Sequence, residues 1–145
     1  MLAIFFYKFM MNYQFSYTML ESIENNYASY TLSGGIVHIR YHIGISISLD
    51  AAVKIVADRL LLQAGESYPV LCDIRGVREV NKAARDYLAL EGSLLIKAAA
   101  FIVEIPMTSI LSKFYVQTAK PPIPTRAFLD FEEARGFLEG VVNNE

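Results

Sequence analysis

From Tyr27 onward the hydrophobic period of this chain switches repeatedly between two residues and three to four, and each switch dictates a change of secondary structure. "YASYTLS" (27–33) and "IVHIRYHI" (36–43) alternate at period two around Gly34 and Gly35, which predicts a β-hairpin. In the second run Val37, Ile39, Tyr41 and Ile43 share one face, with His38, Arg40 and His42 on the other. "SLDAAVKIVADRLLLQA" (48–64) changes to helical spacing through Leu49, Val53, Val56 and Leu60, with Ser48 placed to cap it and Gly65 to stop it.

The pattern then recurs. "YPVLCDI" (68–74) is a nearly continuous apolar run, as a strand covered on both faces requires. Asn81 caps the helix "KAARDYLALE", which ends at Gly92, and "AAAFIVE" (98–104) is a second buried strand. "TSILSKFYVQ" (108–117) carries the helical stripe Ile110, Leu111, Phe114 and Tyr115. After "AKPPIPT" come a short strand "RAFL" (126–129) and a D-x-x-E helix start at Asp130 and Glu133, with Phe131, Ala134, Phe137 and Leu138 facing inward. The order β-β-α-β-α-β-α-β-α predicts one α/β domain over 21–142. Its sheet is mixed and mostly parallel, with helices packed against it and right-handed crossovers.

A chain of 145 residues with 54% hydrophobic and 19% charged residues is long and apolar enough to bury one core. A net charge of −2 provides no basic field, which argues against a nucleic-acid partner. One cysteine excludes an internal disulfide, and a reducing, cytoplasmic setting is the simplest fit. Residues 1–20 are apolar and aromatic, but Lys8, Asn12, Gln14 and Ser16 interrupt them short of a membrane span, and no small-residue cleavage site follows. We expect the natural chain to start at Met19, with an N-terminal extension before it. The rival reading is an apolar arm that docks on a partner or a membrane surface.

The element order, with "LCDIRGV", "KAARDYLA", "AAFIVEIP", "KPPIPTRAF" and "FEEARGFLE", resembles the STAS/SpoIIAA-like superfamily over about residues 22 to 140, and within it small uncharacterised stand-alone bacterial proteins. The resemblance implies the SpoIIAA-like fold and action by binding rather than catalysis. In anti-sigma-factor antagonists of the superfamily, a D-S-S-G-like motif opens the helix after the third strand and its serine is phosphorylated. Overlaying that motif puts Asn81 at the aspartate and Lys82 at the switch serine, followed by Ala83 and Ala84. The phosphorylation switch and its kinase partner therefore do not carry over.

The candidate binding surface is the polar junction between strand and helix, with Asp73, Arg75, Arg78, Asn81, Lys82 and Arg85, joined by Ser109 and Lys113 of the helix 108–117. In open α/β sheets ligands bind beyond the carboxyl ends of the strands, and helix N-termini attract anions. Lys82 and Arg85 oppose the dipole in the first turn of their helix, so either Asp73, Glu79 or Asp86 offsets them or an anionic ligand does. Asp73 near a strand end needs a partner, most simply a neighbouring arginine.

The remaining residues point to bland roles or to none. His38 and His42, four residues apart on a strand, stand about 13 Å apart and cannot share one metal ion. Cys72 reads as a small core residue. "AKPPIPTR" is a rigid crossover or a docking surface with Lys120 and Arg126 at its rim. No nucleophile elbow, phosphate loop or zinc-protease motif is present in the sequence. We therefore expect a non-enzymatic domain without cofactor or metal that binds another protein. The alternative is a small anionic or lipid-like ligand in a pocket beyond the strand ends. Self-association is compatible with either reading.

Overall fold

The computed structural model describes residues 21–104 and 122–144. The extension 1–20 and the expected helix 108–117, with Ser109 and Lys113, lie outside the described residues.

Along the chain the elements are β1 (Ser22–Glu24), β2 (Ala28–Ser33), β3 (Ile36–Tyr41), β4 (Ile45–Ile47), α1 (Leu49–Gln63), β5 (Tyr68–Asp73), β6 (Val77–Val80) and α2 (Lys82–Leu90). A single 3-10 turn, Glu91–Ser93, leads into β7 (Ile96–Ile102), and β8 (Thr125–Phe128) and α3 (Phe131–Asn143) complete the order. Six strands form one sheet in the order β1-β2-β3-β5-β7-β8. The first two pairings are antiparallel and the other three parallel, so the sheet is mixed and mostly parallel, as its sequence predicts.

The hairpin turns at Gly34 and Gly35, whose φ values of 60° and 76° both lie in the left-handed region that a tight two-residue hairpin loop uses. The helix starts follow their caps. The Ser48 hydroxyl accepts from Ala51 N at 3.4 Å, the Asn81 side chain from Ala84 N at 2.9 Å, and the Asp130 carboxylate from Glu133 N at 3.3 Å.

Strand alternation then divides the interior into two layers. Val37, Ile39, Val70 and Cys72 point toward α1 and α2, where they meet Ala51, Ile55, Leu62 and Ala84. Leu71, Ala98, Ala100 and Ile102 point the other way, against Ala134 and Leu138 of α3. Ala98, Ala100 and Ala134 are each fully buried, so small side chains let α3 approach the sheet closely.

The structure adds three strands to the expected order. β1 pairs antiparallel with β2, and β4 pairs in parallel with β6 as a separate two-stranded ribbon. The ribbon interrupts what reads in sequence as a direct passage from strand to helix. It is fastened where Gly44 N donates to Gly76 O at 2.6 Å. A Cβ on Gly76 would stand 2.7 Å from His42 O and 2.9 Å from Ile43 Cα, so only glycine allows this close approach.

The inward face of α1 also differs from the expected stripe. Val56 of that stripe is buried, but Leu49 and Val53 are each 42% exposed, and Ala51, Ala52, Ile55, Asp58, Arg59, Leu62 and Gln63 are buried with it. Asp58, Arg59 and Gln63 are accommodated on that face because each has hydrogen-bond partners there.

Candidate functional site

The described residues of the strand-to-helix junction pair in two groups. Asp73 ends β5 on the side of the sheet that faces α3, whereas Asn81 opens α2 on the opposite side. Arg75 grips Asp73 with two charge-assisted bonds, Nε to Oδ1 at 2.9 Å and Nη2 to Oδ2 at 2.7 Å, and Arg40 of β3 stands 3.9 Å away. Burial pushes the Asp73 carboxyl up, but the hydrogen bonds from Arg75 and the charges of Arg75 and Arg40 outweigh it and hold the group below the usual carboxylate range. This is the neighbouring-arginine pairing expected for a half-buried aspartate.

On the α2 side, Lys82 Nζ meets Asp86 Oδ2 at 2.7 Å, one helical turn on, and Arg85 Nη1 donates to Val80 O at 2.7 Å. The unfavourable dipole position of Lys82 is thus offset within the helix itself. Arg78 is exposed on β6. Asn81 spends its side-chain oxygen on the cap. The two histidines go to separate neighbours: His38 stacks on Phe131 at 5.9 Å, and His42 Nε2 reaches Glu24 at 3.3 Å. Burial lowers the His38 pKa. Among the described residues no group of three or more His, Cys, Asp or Glu side chains could hold a metal ion.

A cavity of about 100 Å³ lies over the sheet on its α1 and α2 side. Its floor is Ile39, Val70, Ala99 and Phe101; its roof is Ile55, Val56, Leu88 and Ala89. Ala89, Gly92 and Ala99 are among its lining residues, and small side chains in a wall leave space that larger ones would fill. The sequence reading places a pocket beyond the strand ends. The cavity described here lies under α1 and α2.

One charged group enters this apolar space. Arg59 of α1 lines the cavity and is only 3% exposed. Its Nη1 donates to Gln63 Oε1 one turn on, and its Nη2 donates to Gly92 O at 3.2 Å. Both acceptors are neutral. Gln63 Nε2 in turn donates to Glu66 O at 2.9 Å and Leu95 O at 2.8 Å, so the arginine is held by a network anchored on the chain after α1 and before β7. Asp58, the adjacent acid, serves Lys54 at 3.1 Å and Asn25 at 2.8 Å instead.

The other polar groups nearest Arg59 carry no charge to offset it. Burial pushes the Cys72 thiol up to about 12 and raises the phenols of Tyr30 and Tyr41 well above their ordinary value. All three are neutral at physiological pH. Burial likewise lowers the pKa of Arg59, yet a guanidinium keeps its proton in a protein. Arg59 is therefore a buried cation with no carboxylate of a described residue in salt-bridge reach. Sequence reasoning missed it, since an arginine four residues before a glutamine on a helix reads as solvent-facing. The only signal was its position: Arg59 lies four residues after Ile55 and three before Leu62, in line with the buried face.

Residues 30–142 match the model of a family described as Domain of unknown function (DUF7793). Among solved structures, an uncharacterised protein of the DUF3478 family with a SpoIIAA-like fold, from Shewanella loihica PV-4, is similar with a TM-score of 0.53. The match covers 80% of this chain and 98% of that one at 13% sequence identity. The fold is therefore SpoIIAA-like, as the sequence motifs imply. No curated protein matches the chain. No helix among the described residues is long and apolar enough to cross a membrane.

Proposed function

The chain belongs to the family described as Domain of unknown function (DUF7793), and from that premise we propose that it is a non-enzymatic binding domain that holds a small, lipid-like molecule in the cavity beneath α1 and α2. The observation that carries this reading is the cavity of about 100 Å³, lined mainly by apolar side chains from five strands and two helices. A mainly apolar space of this order suits a small apolar group, as an engineered cavity of roughly 150 Å³ takes up benzene. The catalytic alternatives lack support: the cavity's one thiol is pushed up to about 12 and is no nucleophile at neutral pH.

A protein partner is the second reading. Its expected surface at the junction is weakened by internal pairing, with Lys82 held by Asp86 and Asp73 held by Arg75. What favours it is the apolar edge of Leu90 and Leu94, 71% and 49% exposed. Native mass spectrometry of the chain, purified gently from its host organism, separates the two. The ligand reading expects a small bound mass in the wild type that disappears in Ala99→Leu. A stoichiometric protein partner whose retention is indifferent to Ala99→Leu would overturn it.

A further inference from the structure

We propose that Arg59 is the anchor for a carboxylate, so that the occupant of the cavity is a small amphipathic monoanion with an aromatic or short aliphatic body. The inference rests on the cavity-binding reading above and adds the chemistry of the ligand. Burying a charge is costly unless it is paired. Arg59 is 3% exposed, and its hydrogen bonds run to a side-chain amide oxygen and a peptide carbonyl, neither of them anionic. A lysine or arginine kept only to tie α1 to the 3-10 turn would do so with a neutral glutamine at less cost. The guanidinium instead borders an otherwise apolar space, and its planar fork matches a carboxylate edge-on.

Size completes the assignment. The volume suits a body of about one benzene ring. The polar end of the ligand would lie at Arg59, near Gly92 and Ser93 where the roof changes from helix to turn, and its body over Ala99 and Phe101. No bond is made or broken in this account. The carboxylate displaces nothing charged, and it neutralises the only buried cation among the described residues.

The test compares benzoate with its neutral isostere benzamide on the full chain, by NMR titration or calorimetry at constant ionic strength. We expect benzoate to bind at least about tenfold more tightly, the order set by a charge-assisted hydrogen-bond pair. In Arg59→Met, which keeps the apolar stem, that preference should vanish while benzamide still binds. Equal affinities in the wild type would overturn the carboxylate anchor and leave the cavity reading standing. Binding of neither compound would overturn both. If Arg59→Met does not fold, the wild type still decides: the Arg59 Nε–H resonance must shift with benzoate and stay in place with benzamide, and the reverse pattern refutes the proposal.

Discussion

Replacing Ala99 by leucine should stabilise the ligand-free protein, although most enlargements of a buried alanine do the opposite. Ala99 is 6% exposed, lies on β7 between β5 and β8, and lines the cavity floor. Its neighbours Ala98 and Ala100 point to the α3 layer, so leucine at 99 alone grows into the void. The three added carbons of leucine gain about 2.4 kcal/mol at ~0.8 kcal/mol each. Fixing the leucine side chain costs about 0.5–1 kcal/mol, which leaves a net gain of about 1.5 kcal/mol and a Tm raised by about 3–6 °C. Urea and thermal melts of the two proteins measure it. If the variant instead loses about 1–3 kcal/mol, the usual cost of overpacking, the space is already filled and the reasoning fails.

Other substitutions test the scaffold around the site. Gly76→Ala should cost about 1–3 kcal/mol in urea melts, because its Cβ would meet the His42 carbonyl oxygen at 2.7 Å and break the Gly44–Gly76 bond; a neutral result would refute the tight approach. Asn81→Ala should cost about 1 kcal/mol through loss of the α2 cap to Ala84 N, with Asn81→Asp restoring most of it. Asp73 has a folded-state pKa below its unfolded value, so its contribution is present at neutral pH and is lost as pH falls below about 4 and through the folded value. Acid melts should therefore show the wild type's lead over Asp73→Asn shrinking in that range, and a constant lead would contradict the pairing with Arg75.

How much of this was legible in the sequence depended on range. The hairpin at Gly34–Gly35, the caps at Ser48, Asn81 and Asp130, and the core placement of Cys72 are local signals, and each stands where its residues place it. β4 and β6 escaped because Ile45–Ile47 and Val77–Val80 are too short to show a period, and each becomes a strand only by pairing with the other across α1 and β5. Asp73 and Lys82 are near in sequence, but β6 intervenes along the chain and each is paired locally, with Arg75 and Asp86. The cavity is lined by residues spread from Ile39 to Thr125. Hydrophobic spacing along one element cannot report that. Arg59 escaped for a related reason: a buried cation breaks the apolar pattern that identifies an inward face, and such breaks concentrate where a fold has a use for them.

The central claim is an apolar, ligand-ready space beneath α1 and α2. A crystal structure of the full chain under xenon pressure tests it most directly, since xenon enters empty apolar cavities without needing a polar contact. The account predicts a xenon atom between Leu88 and Ala99, within contact of Phe101, and none there in Ala99→Leu. Electron density for the chain's own residues 105–121 in that space, with no xenon bound, would contradict it.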